Sequence, residues 1–238
     1  MNHLDYYQYQ AKARGVHGLE DVRRIAQEKA YLYDRVLLPW LPADKSGRIA
    51  EIACGHGSFL CWAKGQGYTA LTGIDSSPEQ IELAKQIGIT VCESDVNQWL
   101  AKQPAASHQA IVGIDLIEHI SKDAVMDLLK SAYRVLADGG RLILRYPNGD
   151  SPFVGMNLFN DITHVWTYTP NCLNSLSQMH GYTRTRFVDE SSAAIRDNRW
   201  LKVPLSNLST AILRFLVRAA TREKIAHWSP HLWACLEK

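Results

Sequence analysis

Arg48-Ile-Ala-Glu-Ile-Ala-Cys-Gly-His-Gly-Ser-Phe-Leu60 is the stretch on which the reading of this chain turns. The apolar run Arg48 to Ala53 reads as a short strand. It breaks at Cys54-Gly55-His56-Gly57, and Ser58-Phe59-Leu60 opens a helix that Gly65 and Gly67 close. Glycines between a strand and a helix let the backbone turn tightly and lie close to a ligand. The free N–H groups of the helix start favour an anionic group there. A dinucleotide fingerprint needs a third glycine where this chain has Leu60, and no GxxxxGK[ST] phosphate loop occurs. Taken alone, the heptapeptide Glu51 to Gly57 also fits an ordinary tight turn before a helix.

Working outward, the same strand–helix unit repeats. Ala70 to Ile74 reads as a second strand stopping at Asp75, and Ser77 and Pro78 are a helix cap and first-turn residue. Ile81, Ala84 and Ile87 give that helix an inner face. A third strand spans Ile89 to Cys92, a helix Val96 to Lys102, a fourth strand Ala110 to Asp115 and a helix Asp123 to Leu136. Asp138-Gly-Gly140 closes that helix, and Arg141 to Arg145 is the fifth strand. Strands alternating with helices at this spacing predict an α/β, doubly wound parallel sheet with helices on both faces. Ligands on such sheets bind beyond the carboxyl ends of the strands, near the switch point.

Residues 1–44 are expected to form an N-terminal helical extension, with Val22, Ile25, Ala26, Ala30, Tyr33 and Val36 at helical spacing over 18–38. The main domain is then 45–238. Within it, residues 147–170 are rich in Asn, Asp, Gly, Pro and aromatics and predict an active-site loop or small cap. A helix near Thr169 to His180, a strand near Tyr182 to Val188, a helical segment over 204–226 and a last strand at His231 to Leu236 complete the chain.

The 238 residues carry a formal net charge of only +2, which does not point to nucleic acid. Five cysteines without a CxxC pair argue against a disulfide scaffold or a thiolate zinc site. The polar N-terminus has no signal-peptide core, and no apolar run is long enough to span a bilayer. The expected compartment is cytoplasmic.

Asp75, at the end of the second strand, can accept both hydroxyls of an adenosine ribose, and its distance from the glycine turn suits one βαβ unit. A capping or solvent-facing role fits Asp75 equally well. Asp95 can accept from an adenine amino group, although an aspartate in a loop is unremarkable. The order Glu51-x-Ala-Cys-Gly55-x-Gly57, Gly73-Ile-Asp75, Ser94-Asp95, Asp115-Leu-Ile-Glu-His119 and Leu136-Ala-Asp-Gly-Gly140 resembles the class I S-adenosylmethionine (SAM)-dependent methyltransferases. The resemblance is strongest to the branch with a ubiquinone-biosynthesis-type methyltransferase domain, and it spans about residues 45–150. It implies a Rossmann-like methyltransferase fold with SAM as cofactor. Glu51, Ala53, Gly55 and Gly57 would hold the methionyl part, Asp75 and Ser76 the ribose, Asp95 and Val96 the adenine, and Asp115 would flank the donor. Ala53 stands where the family usually has its first glycine, and a methyl group fits there if φ is negative.

On the acceptor side, Asn157 to Thr169 mixes polar and aromatic groups densely. Tyr146, Asn148, Asn160 and Trp166 are candidates to stack on or hydrogen-bond to a polar acceptor. The Asn160-Asp-Ile-Thr-His164 segment resembles a subset of these enzymes that includes sugar O-methyltransferases of bacterial surface polysaccharide and lipopolysaccharide synthesis. A sugar hydroxyl must lose its proton before it attacks, and a near-neutral histidine is a suitable base. His164 is the first candidate, with Asp161 orienting it or holding the acceptor, and His119 is the second. No i,i+4 histidine pair with a carboxylate occurs, so no metal is expected. A tertiary cluster such as Asp161, His164 and Asp115 would be the way to build one.

Arg214, Arg218 and Arg222 share one face of an amphipathic segment. Peripheral contact of 210–226 with an anionic (inner) membrane surface is compatible with this, as is a helix packed on the core with a solvated basic face. The expected function is SAM-dependent O-methylation of a polar small-molecule or glycan acceptor, most specifically a sugar of a bacterial surface glycan. Methylation of another small molecule, such as a quinone precursor or an amine, and SAM binding without catalysis are the alternatives.

Overall fold

The computed structural model describes residues 15–190, 211–219, 222 and 225–238. Helix α1 (Leu19–Val36) leads through a 3₁₀ turn (Leu38–Trp40) into β1 (Ile49–Ile52) and α2 (Ser58–Gly65). Then follow β2 (Leu71–Asp75), α3 (Pro78–Lys85), β3 (Thr90–Glu93), α4 (Val96–Lys102), β4 (His108–Ile114) and α5 (Lys122–Val135). The remainder is β5 (Leu136–Pro147), the short α6 (Gly155–Leu158), α7 (Pro170–Met179), β6 (Arg184–Asp189) and β7 (His231–Glu237).

One seven-stranded sheet runs in the order β3-β2-β1-β4-β5-β7-β6. Pairings β3-β2, β2-β1, β1-β4 and β4-β5 are parallel, whereas β7 is antiparallel to both β5 and β6. The fold is thus the expected doubly wound α/β, Rossmann-like one, with the C-terminal strand inserted between β5 and β6.

Strand side chains alternate between two cores, as the pleat requires. Ala50, Ile111, Leu142, Leu144, Ala234 and Leu236 face α4, α5 and α7 on one side. Ile49, Ala110, Val112, Ile143, Trp233 and Cys235 face α1 and α2 on the other. Helix α1 shares that second core: Tyr33 meets Phe59 and Trp62 edge-on at ring distances of 5.9 and 5.3 Å. Residues 19–41 are therefore packed into the sheet's own core rather than set apart from it.

The Gly139-Gly140 pair falls inside β5 instead of closing a helix. Pairing with β4 jumps from His108 opposite Leu136 to Ala110 opposite Arg141, and the glycines take up the turn between. Of the segment expected to be helical over 204–226, residues 211–219 are helical; residues 204–210, 220–221 and 223–224 lie outside the described residues, as do residues 1–14 of the N-terminal extension. The helix over 211–219 does not bury its apolar face in the core, since Ile212, Phe215 and Leu216 are exposed. Among the described residues no helix is long and apolar enough to cross a membrane.

Candidate active site

Strands β1 and β4 lie side by side where the winding reverses, so their carboxyl ends diverge into a crevice. A cleft of about 640 Å³ opens there, in the size range of small-molecule sites. Its floor is the turn after β1. Gly55 and Gly57 adopt left-handed φ of +51° and +80°. Gly57 is also the N-cap residue of α2, and a Cβ on it would sit 2.6 Å from Ile87 Cδ1. Ala53 departs from expectation, because its φ is +54° rather than negative. The turn accepts the methyl group at a backbone cost of roughly 1–2 kcal/mol that a glycine would not incur.

Asp75 pins this turn. Its Oδ2 accepts from the Gly55 N–H at 2.7 Å and its Oδ1 from the Ser77 N–H at 2.9 Å. Burial pushes its carboxyl up, while these backbone N–H groups pull it down. Each carboxylate oxygen retains a further lone pair, and Asp75 and Ser76 both line the cleft. Glu51, at the end of β1, is buried (4 % exposed), and its Oε2 has no partner among the described residues. Burial raises its carboxyl well above the usual range, although Lys29 on α1 draws it down. A buried carboxyl with one oxygen unpartnered, beside an open glycine turn, fits an ammonium ligand such as the methionyl amine of SAM. The turn's N–H groups suit the matching carboxylate.

Asp95 and Val96 lie outside this lining. Asp95 is the exposed N-cap of α4, accepting from the Gln98 N–H at 3.0 Å, and Val96 packs against the core. Gly57 shapes the turn without lining the cleft. Asp115 does line it, with a left-handed φ of +54°. Burial opposes its ionisation, but an ion pair with Arg145 holds the carboxyl below the usual range. Arg145 Nη2 also donates to Glu190 Oε1 at 2.7 Å, and Trp233 Nε1 donates to Glu190 Oε2 at 2.9 Å. Lys29, Tyr33, Glu118 and His231 line the cleft too, and none of them is among the sequence-predicted site residues.

At the acceptor end the cap loop folds back on the β4 exit, with the Val165 N–H bonded to the Glu118 carbonyl at 2.7 Å. The rings of His119 and His164 meet with centroids 4.6 Å apart. His164 Nδ1 bonds to the Leu158 carbonyl at 3.0 Å, so that nitrogen carries the hydrogen and Nε2 the lone pair. Asp161 does not orient His164 as expected. Its Oδ1 accepts from the Thr163 hydroxyl at 2.6 Å, and Thr163 Oγ1 lies 2.9 Å from His119 Nδ1. The hydroxyl's one hydrogen goes to Asp161, so His119 Nδ1 donates to Thr163. Burial, helped by His164, pulls the His119 ring down to about 4. Burial likewise lifts Glu118 well above the usual range, with Asp115 adding to it.

Asn160 lines the cleft, but three other expected acceptor contacts are placed elsewhere. Tyr146 is fully buried in the core. Its place two residues beyond Leu144 and four beyond Leu142 puts it on the same inward face of β5. Asn148 is buried as well, donating to the carbonyls of His227 and Ser229 at 3.0 Å and so holding the C-terminal segment. Trp166 sits outside the cleft with Lys122 Nζ 3.7 Å from its ring centre.

This sheet order, with a glycine turn after β1 and acidic groups at the ends of β1 and β2, defines a SAM-dependent methyltransferase. The chain belongs to the methyltransferase-domain family, whose model matches residues 22–186. The fold is shared with a SAM-dependent methyltransferase from Archaeoglobus fulgidus (TM-score 0.69, 18% identity, 98% of this chain and 99% of that one). It is shared with a Thermotoga maritima protein described as a possible histamine N-methyltransferase (TM-score 0.63, 17% identity, all of both chains). It is also shared with a phosphoethanolamine N-methyltransferase from Haemonchus contortus (TM-score 0.57, 14% identity, 89% of this chain and 51% of that one). No curated protein matches the chain in sequence.

Proposed function

We propose that this methyltransferase acts on a small polar acceptor, transferring the methyl group to a hydroxyl oxygen at the His119/His164 end of the cleft. The observation that carries the reading is the His164 imidazole, whose Nδ1 hydrogen is committed to the Leu158 carbonyl, set against the His119 ring at 4.6 Å. When bound, SAM supplies a methyl carbon already activated by its sulfonium. Glu51 and the Gly55 turn hold the methionyl end, and Asp75 with Ser76 holds the ribose. Asp161 keeps His119 in one tautomer through Thr163. His164 takes the acceptor proton as the acceptor oxygen forms its bond to carbon and the S–C electron pair returns to sulfur. The rest of the work is alignment and exclusion of water.

The cleft lining includes the polar side chains of Asn157, Asn160, Asp161 and His231 beside Leu116, Ile120 and Pro147. Tyr146 and Trp166 do not reach it, which favours a hydroxylated or charged acceptor over a quinone-like ring. A sugar of a surface glycan is the narrower reading and rests on the Asn160-Asp-Ile-Thr-His164 resemblance. A second reading, N-methylation of a small amine, is favoured by Glu118 and Asp161, which suit an ammonium. Two of the fold neighbours are named for amine acceptors.

Calorimetric titration with SAM and with NAD, followed by S-adenosylhomocysteine release against nucleotide sugars, other polyols and small amines, tests this. SAM binding without NAD binding, turnover with a hydroxylated acceptor, and a His164→Asn variant that keeps SAM affinity but loses kcat are expected. Failure to bind SAM overturns the assignment, and turnover confined to amines replaces it by the second reading.

A further inference from the structure

We propose that Glu118, His119 and His164 form a site for one divalent first-row transition-metal ion, of which Zn²⁺ is the best-fitting case, at the acceptor end of the cleft. One donor atom from each side chain, a carboxylate oxygen and two imidazole nitrogens, lies within 4.8 Å of the other two. Donors held about 2.1 Å from one tetrahedral ion lie roughly 3.4 Å apart, so closure on an ion needs tip movements of only about 1 Å.

Three further observations point to a cation. Glu118 is buried (1 % exposed), and its Oε2 has no partner among the described residues. A burial this complete with one oxygen unpartnered is costly for a carboxylate and is relieved by a metal. Both rings also carry the outer hydrogen bonds that metal-bound histidines carry. His164 donates Nδ1–H to the Leu158 carbonyl, and His119 donates to Thr163, which Asp161 holds in turn. The three ligands come from two segments, the β4 exit and the cap loop, joined by the Val165–Glu118 backbone bond. The site is thus set by the fold rather than by one flexible loop.

Two imidazoles and one carboxylate suit zinc or iron(II), whereas magnesium and calcium prefer all-oxygen shells. Three protein ligands leave a coordination position for the acceptor. The site departs from the sequence expectation of no metal because Glu118 entered no candidate cluster there.

The use of the ion rests on the proposed methyl transfer to oxygen; its binding does not. With the ion in place His164 is a ligand and not a base. The acceptor hydroxyl is acidified by coordination, its proton passes to solvent water, and the metal-held oxygen attacks the methyl carbon while the S–C pair stays on sulfur.

The test uses the full chain, stripped with a chelator, dialysed and titrated with ZnCl₂ alone by calorimetry. Metal content after dialysis and the visible spectrum of a Co²⁺-loaded sample are read in parallel. Saturable uptake of one equivalent of Zn²⁺ is expected, with Co²⁺ ligand-field bands and an affinity lowered about ten-fold or more in Glu118→Gln and in His164→Asn. His164→Asn, on the cap loop, serves where Glu118→Gln fails to fold; circular dichroism and SAM titration of each variant report that. A wild-type chain that binds SAM but shows no stoichiometric Zn²⁺ site, or Zn²⁺ binding unchanged in a folded variant, overturns the metal. A wild-type chain that fails to bind SAM overturns the methyltransferase reading instead, whatever the Zn²⁺ result.

Discussion

Replacing Gly55 and Gly57 separately by alanine distinguishes backbone strain from steric exclusion within one turn. Both residues have left-handed φ, +51° and +80°. An alanine there costs about 1–2 kcal/mol in the folded state. The stiffer unfolded chain offsets about 0.4–1 kcal/mol of this, leaving a net loss near 1 kcal/mol at each position. Space then separates the two. A Cβ at position 55 meets only Gln80 Oε1, at 3.7 Å, whereas at 57 it meets Ile87 Cδ1 at 2.6 Å and Ala84 Cβ at 3.4 Å. Ile87 is itself buried among Val16 and Val22, so it cannot swing away freely. Overpacking of this kind costs about 1–3 kcal/mol. Gly57→Ala is therefore expected to lose about 2–4 kcal/mol and Gly55→Ala about 1 kcal/mol, from the sum of these contributions. Urea unfolding followed by circular dichroism without SAM reads the difference. Calorimetry should show Gly55→Ala weakening SAM binding although the fold survives, because its new methyl group points at the cleft floor. Equal destabilisation by the two substitutions would refute the steric part of this reasoning.

Arg145→Met removes the cation shared by Asp115 and Glu190. Loss of a partner from a buried pair typically costs about 3–5 kcal/mol, so a large fall in Tm is expected, and an unchanged Tm would show the network to be dispensable. The acid limb of stability should also be steep. Burial holds the His108 and His119 rings down to about 4, against about 6.5 in an unfolded chain. Between those values the unfolded state binds more protons, so stability falls as pH drops from about 6.5 towards 4, with each ring adding up to one proton to the slope. His108→Gln, remote from the cleft, should lose less stability than wild type between pH 7 and pH 4.5 in denaturant titrations. An identical loss would mean that His108 titrates normally in the fold.

The strand-and-helix rhythm was legible because inner strands buried on both faces read as short continuous apolar runs between helical stretches, while their side chains alternate between the two cores with a period of two. Leu142, Ile143 and Leu144 show it within three residues. The same period extended by two would have placed Tyr146 in the core, and its hydroxyl drew it into the acceptor site instead. Asn148 misled for a related reason: a polar side chain in a loop looked available, yet both its amide hydrogens are spent on the chain's C-terminal segment. The placement of β7 between β5 and β6 has no local signature, since it depends on antiparallel register with strands about 50 and 90 residues earlier. Lys29 and Tyr33 reach the cleft from α1, and Glu190, just beyond β6, is linked to Asp115 through Arg145. Spacing around the glycine turn holds no information about either. Glu118 was in view but was read only as half of a motif; its meaning came from burial.

The charges in the cleft explain why the histidines stand where they do. Asp115 and Glu190 share the single cation Arg145, which leaves that trio one net negative charge, and Lys29 across the cleft helps to hold Asp115 ionised. Two buried carboxyls remain, Glu51 at the β1 end and Glu118 beyond β4, and burial shifts both towards the neutral form until a cation arrives. At the β1 end the cofactor's own ammonium would answer that demand under the proposed assignment. At the β4 end no part of the methionyl group is required, and the chemistry needs the opposite of a stable charge pair. Transfer of a methyl group from a sulfonium to an oxyanion cancels both charges, so a dry, low-dielectric site favours the step once the oxyanion exists. Making that oxyanion is then the difficult part. Under the proposed transfer to oxygen, His119 and His164 beside a buried Glu118, able to take a proton or to hold an ion that displaces one, are the groups such a site would require at that end and would be of no use at the other.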